Sequence, residues 1–188
     1  LYNFQLLRMA GQNGVAAYGV LMYVEFIFIS AFIGYAIGSA PIISYHFGAD
    51  NHAELKNMLK KSLILMSLAG VAMLIISEAL AFPLAHIFVG YDEKLLEMTV
   101  HGFRVFSLMF PLASINIFAS SFFTALNNGG VSAAISFLRT FVFKLAAVLI
   151  LPLLFKLDGI WWATIVAELF AFLLSTGFVA AKKKKYGY

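Results

Sequence analysis

Residues 131–185 read VSAAISFLRTFVFKLAAVLILPLLFKLDGIWWATIVAELFAFLLSTGFVAAKKKK, two apolar runs joined by the turn Lys156-Leu157-Asp158-Gly159 and closed by four lysines. At ~1.5 Å per helical residue each run can cross ~30 Å of hydrocarbon. The turn between them is too short to hold a domain, so the two must be antiparallel neighbours. The same pattern recurs upstream. Apolar stretches at about 15–43, 62–88 and 100–126 join those at 131–154 and 160–181, making five spans in all. The chain therefore reads as an all-α integral membrane protein, a polytopic helix bundle.

Composition agrees. Hydrophobic residues make up 62% of the chain and charged residues 12%, roughly half the ~25% of a soluble domain. Cysteine is absent, which excludes disulfides and thiolate metal sites. The basic balance, pI about 9.3, raises nucleic acid as a partner until the charges are located. Lys182, Lys183, Lys184 and Lys185 form the tail, and Lys56, Lys60 and Lys61 share one loop. These are charges of a membrane surface rather than a nucleic-acid stripe. The positive-inside rule puts the tail and the 48–61 loop in the cytoplasm, leaving Arg8, Lys94 and Lys156 in the opposite loops. The expected location is the inner (cytoplasmic) membrane, multi-pass, with a cytoplasmic C-terminus. Residues 1–9 lack the parts of a signal peptide and read as the end of a truncated helix, closed by Arg8 and Gly11-Gln12-Asn13-Gly14.

Ionisable residues within spans are expensive, so their depths matter. Glu78 lies roughly 24 Å from the cytoplasmic side and Arg104 enters the next span at a similar level, which predicts an outer-leaflet pair. Lys144, ~20 Å up its span, and Glu168, ~13 Å down the antiparallel one, reach comparable depth and predict a second pair. Such pairs fix register by neutralising each other. Arg139, ~12 Å inside from the cytoplasmic end, reads as an anchor that snorkels to that surface or bonds freed carbonyls. Glu25, in Tyr23-Val24-Glu25-Phe26 near mid-depth, has no cation near it in sequence. A carboxyl group in a low dielectric can exchange a proton or pair with an organic cation, which makes Glu25 the sharpest functional candidate. Its structural alternative is contact with Lys144 or a neighbouring hydroxyl.

Other features are less specific. Pro111, well inside its span, is the best kink candidate among Pro41, Pro83, Pro111 and Pro152. Gly34 and Gly38 have the Gly-x-x-x-Gly spacing that admits a close helix neighbour. Phe26, Phe28, Phe32, Phe106, Phe110, Phe118, Phe122 and Phe123 offer π faces for flat cations, although most Phe in such a chain face lipid or other helices. No nucleotide-binding Gly-rich loop occurs, which argues against an ATP-driven engine in this segment. His46, His52, His86 and His101 lack metal-pair spacing and read as interfacial. Neither an enzymatic motif nor a cofactor is indicated.

Two segments carry a family resemblance. The first is GYAIGSAPIISYHFGADN, residues 34–51; the second runs from FFTALNNG at 122–129 through SFLR at 136–139 and Leu151-Pro152 to DGIWWA at 158–163 and Ala167-Glu168. They resemble helix eight with its cytoplasmic loop, and helices ten to twelve, of multidrug and toxic compound extrusion (MATE) transporters, especially the bacterial branch related to MepA and DinF. The resemblance implies a C-terminal lobe, comprising the end of helix seven and helices eight to twelve, of a two-lobe transporter whose N-terminal lobe is missing from this chain. It implies antiport of cationic small molecules against protons or sodium by alternating access, and makes Arg139 a family-pattern residue of the eleventh helix. NorM-like members use acids on helices seven and ten. The 100–126 span has none, and Asn116 is its nearest polar substitute. In the DinF-like branch an acid of the N-terminal lobe, which this chain lacks, is the alternative to coupling through Glu25. The candidates for cation coupling or substrate binding are thus Glu25, Asn116, Lys144 and Glu168, with Arg139, Glu78 and Arg104 as structural charges. The alternatives are a lipid-linked saccharide flippase of the same superfamily and a non-transporting membrane scaffold.

Overall fold

A computed structural model describes residues 1–188. The chain forms helices α1 (Tyr2–Gly48), α2 (His52–Val89), α3 (Glu93–Ser107), α4 (Phe110–Ala125), α5 (Gly129–Phe137) and α6 (Lys144–Tyr186), with a π-helical segment, Leu138–Phe143, between the last two. There are no strands. Helices α1 and α2 and the run Gly129–Tyr186 are each long and apolar enough to span a bilayer, and the bent pair α3–α4 makes a fourth such unit.

Two of these runs double back. Gly11 takes φ 62° and ψ −151°, a left-handed setting that glycine adopts without strain. The residues before it fold onto those after it, because the Tyr2 and Tyr18 rings stack at 5.1 Å, whereas a straight helix would hold them ~24 Å apart. Lys156, at φ 53° and ψ −128°, reverses the second run. Ala147 and Val148 on one leg pack against Ala163 and Ala167 on the other. A Cβ on Gly159 would collide with the Leu151 carbonyl, so the reversal needs glycine there.

The span expected at 100–126 is two helices. The break falls at Leu108-Met109, directly before Pro111 in the first turn of α4, and the axes bend by 47°. Proline fits a first turn because the amide proton it lacks has no partner there. Short polar residues cap the starts. The side chains of Asn51, Asp92 and Asn128 accept from the amides of Glu54, Leu95 and Val131 at 3.1, 3.1 and 3.3 Å. Asp50 and Asn127 turn the chain at φ 52° and 55°, a region where Asp and Asn are the commonest non-glycine residues.

Helix α4 is the centre of the bundle. Phe110, Phe118, Phe122 and Phe123 are buried in the core with Phe32, Phe106 and Trp161. Most of the aromatic inventory thus packs helix against helix, while Phe26 is 75% exposed. Gly70 lets α2 and α4 approach closely, since a Cβ there would lie 2.7 Å from Pro111 Cα. Gly34 and Gly38 meet nothing within 4 Å, so the neighbour that their spacing admits is not supplied by this chain. On α2, Ile64, Leu68, Ile75 and Phe82 form an exposed apolar stripe, as a lipid-facing surface requires.

Candidate functional site

Three helical elements, α4, α6 and the π-helical segment, converge on one buried carboxylate. Glu168 on α6 is fully buried and accepts from Arg139 Nε at 2.9 Å on each of its oxygens. Asn116 on α4 donates from Nδ2 to Glu168 Oε2 at 2.8 Å and to the Glu168 backbone carbonyl at 3.0 Å. Two side-chain donors, the Arg139 Nε–H shared between both oxygens and the Asn116 amide, therefore fix one anion through charge-assisted bonds. Asn116 is itself fully buried, and its Oδ1 has no hydrogen-bond partner. That leaves one acceptor free beside the ion pair. One helical turn before Glu168, Thr164 Oγ1 lies 3.1 Å from the Tyr2 hydroxyl, which ties the N-terminal segment to the same wall.

The second ion pair is looser. Lys144 Nζ lies 3.9 Å from Glu25 Oε1, with the side chains 27% and 14% exposed. At that distance the contact is an ion pair without a hydrogen bond. Glu25 thus lacks the donors that hold Glu168, and rearranging it breaks no short contact to a cation.

The sequence-derived pairings need correction. Glu168 pairs with Arg139 rather than Lys144, and Lys144 pairs with Glu25, which is the structural alternative the sequence offers for that carboxylate. Arg139 does not snorkel to the surface. It sits in the π-helical segment, whose wider turn breaks the side-chain register of a regular helix, and its side chain is only 14% exposed. No ion pair joins Glu78 to Arg104. Glu78 accepts from Ser107 Oγ at 2.6 Å, while Arg104 lines an open pocket with Glu93 and Glu97. Equal depth did not bring either predicted pair together, because depth says nothing about which way a side chain points around its helix.

Arg139 also borders a cavity of about 400 Å³ between α1, α4 and α5. Its polar wall is built from hydroxyls that the sequence reading passed over. Ser120 Oγ lies 2.7 Å from Ser136 Oγ and 3.0 Å from Ser132 Oγ, which lies 2.7 Å from Thr124 Oγ1. The available signal was the four-residue spacing of Ser120 with Thr124 and of Ser132 with Ser136, which puts each pair on one helix face. The opposite wall is Ile29, Ile33 and Ile37. This is a compartment with one apolar wall, one hydroxyl wall and a neutralised cation at its edge.

The MatE family model matches residues 1–150. The chain belongs to the MATE family. Solved MATE structures share the fold of this MATE chain at low identity. An outward-facing multidrug resistance MATE transporter of the MOP superfamily superposes with a TM-score of 0.87 at 18% identity, over 97% of this chain and 42% of that one. The transporter VcmN of Vibrio cholerae, in its bent form, gives 0.85 at 17% identity, over 98% and 43%. A MOP superfamily transporter from Pyrococcus furiosus, described as having a binding pocket of reverse polarity, gives 0.83 at 19% identity, over 97% and 42%. No curated protein matches the chain. The MATE chain thus spans about 42% of the length of the transporters it resembles.

Proposed function

We propose that this chain is the C-terminal lobe of a secondary active exporter, related to the MepA and DinF branch, that carries amphipathic organic cations outward in exchange for protons or sodium by alternating access. The observation that carries the coupling reading is the contrast between the two intramembrane carboxylates. Glu168 is held by Arg139 and Asn116, so protonating it would sacrifice two charge-assisted bonds and leave a guanidinium unpaired. Glu25 has only Lys144, at 3.9 Å. Glu25 is therefore the group that exchanges its proton or counter-ion during the cycle, and the Glu168 cluster keeps the helices around it in register. The free Asn116 Oδ1 is an oxygen ligand available to a coupling ion. Alternating access places both pairs on the path between the leaflets, as intramembrane charges in transporters commonly are.

The proposed orientation has the C-terminus in the cytoplasm, supported by the clustering of His52, Asn128 and Tyr186 at one end of the bundle together with seven lysines. A saccharide-pyrophosphate flippase would need several free cations around its cavity. Arg139 is the only charged residue lining the hydroxyl-walled compartment, and Glu168 neutralises it, so the charge arrangement favours the cation reading. The test is ethidium export by the full-length gene product in an efflux-deficient host, with the proton and sodium gradients collapsed separately. Export should stop under one treatment, which names the ion; export that survives both together refutes secondary coupling.

A further inference from the structure

A further cavity lies away from the charge clusters. It is a groove of about 530 Å³ between the first turns of α2, the middle of α4 and the last turns of α6. Lys56 and Lys60 stand on one wall and Lys183 on the other, all three exposed at the rim, and no carboxylate lines the groove. Lys56 and Lys60 are four residues apart, so two like charges sit on one helix face, an arrangement that repels unless an anion lies between them and Lys183.

Below the rim the lining turns apolar. Along α2 the groove descends from Lys56 to Ile64, and along α6 from Lys183 to Ser175, eight residues in each case, or ~12 Å of helix. Leu59, Leu63, Ile115 and Val179 line its walls. Hydroxyls interrupt them: Thr176 Oγ1 donates to the Phe172 carbonyl at 2.7 Å, and Ser175 Oγ is buried and unpartnered. The rim lies at the end of the bundle where His52 Nδ1 meets the Tyr186 carbonyl at 3.0 Å, hence at a membrane surface.

We infer that this groove is a binding site for one anionic glycerophospholipid, its phosphate held among Lys56, Lys60 and Lys183 and an acyl chain lying along Leu59, Leu63 and Val179. The gradient from three cations to hydrocarbon over ~12 Å matches the headgroup-to-chain order of a lipid. A free phosphate would satisfy the rim alone and leave the apolar floor empty. A zwitterionic lipid brings a choline or ethanolamine cation toward the lysines and is disfavoured by the same charges. The lipid joins α2 to α6 at the end where no direct salt bridge connects them.

The test is native mass spectrometry of the full-length protein in mild detergent, titrated with phosphatidylglycerol, with phosphatidylcholine of the same chains, or with glycerol phosphate. One tightly retained phosphatidylglycerol is expected, with phosphatidylcholine and glycerol phosphate at least about tenfold weaker. The Lys56→Gln/Lys60→Gln/Lys183→Gln variant should lose that preference, and Ala180→Trp, which fills the groove and keeps the charges, should lose retention. Lys184→Gln/Lys185→Gln, outside the groove, should bind as the parent does and controls for tail charge. Equal retention of both lipids, an unchanged triple variant, or glycerol phosphate binding as tightly as the lipid would each overturn the assignment.

Discussion

Replacing Glu168 with Gln tests the buried cluster most severely. Gln is nearly isosteric and can still accept from Asn116, so the change removes charge and little volume. It leaves Arg139, only 14% exposed, without the carboxylate that takes both of its short contacts. Breaking one side of a buried ion pair costs roughly 3–5 kcal/mol. For a unit of this size, ~2–4 °C per kcal/mol places the fall in melting temperature at roughly 6–20 °C. Trp161 and Trp162 stand about two turns before Glu168 on the same helix, so intrinsic fluorescence of the full-length protein during heating in detergent reports on this wall. Arg139→Gln should cost a similar amount, by stranding the carboxylate. The double variant should recover at least half of either loss, because two neutral amides can hydrogen-bond where an unpaired ion cannot. A cycle additive to within about 0.5 kcal/mol would show that the two residues do not act as a pair, and the reasoning would fail.

Four further outcomes follow from the packing and the charges. Glu25→Gln should destabilise by less than half as much as Glu168→Gln in the same melt, since its cation is 3.9 Å away and partly solvated; an equal loss would make Glu25 a structural charge. Gly70→Val should cost at least about 1–3 kcal/mol, because its side chain would press on Pro111 and Ser114, and an unchanged melt would refute the close α2–α4 contact. Gly34→Ala and Gly38→Ala meet open space and should leave this lobe's melting unchanged while weakening any contact made with the rest of a longer protein, read as protease sensitivity at the lobe boundary. His101→Ala removes an exposed pair with Asp158 and should cost less than about 1 kcal/mol; a larger loss would mean that the α3 contact with the Lys156 reversal is structural.

Much of this architecture was legible because hydrophobic length is a strong signal in a membrane chain. Runs of apolar residues separated by Asn127-Asn128-Gly129 and Lys156-Leu157-Asp158-Gly159 specify a helical bundle before any contact is known. Pro111 marked the region of the bend, although the sequence gives no cue that α3 and α4 separate at Leu108-Met109. Charge pairing was harder. A linear count gives depth, whereas pairing also depends on azimuth and on side-chain reach. Level alone matches Lys144 to Glu168, yet the π-helical turn and the long guanidinium bring Arg139 there, and Lys144 turns to Glu25 across the bundle. The phenylalanines were legible as bulk and not as surface. Whether Phe118 or Phe122 faces a cavity or the core is decided by which neighbours α4 meets, and α4 meets nearly all of them.

The proposed division of labour, in which Glu25 couples an ion gradient to export while the Glu168 cluster holds the helices, can be read from ethidium transport into inside-out proteoliposomes of the full-length protein, wild type against Glu25→Gln, with bound ethidium measured in parallel by fluorescence. The variant should bind ethidium and exchange it passively yet fail to accumulate it against a gradient. Gradient-driven accumulation by Glu25→Gln at the wild-type rate would show that Glu25 is not the coupling carboxylate.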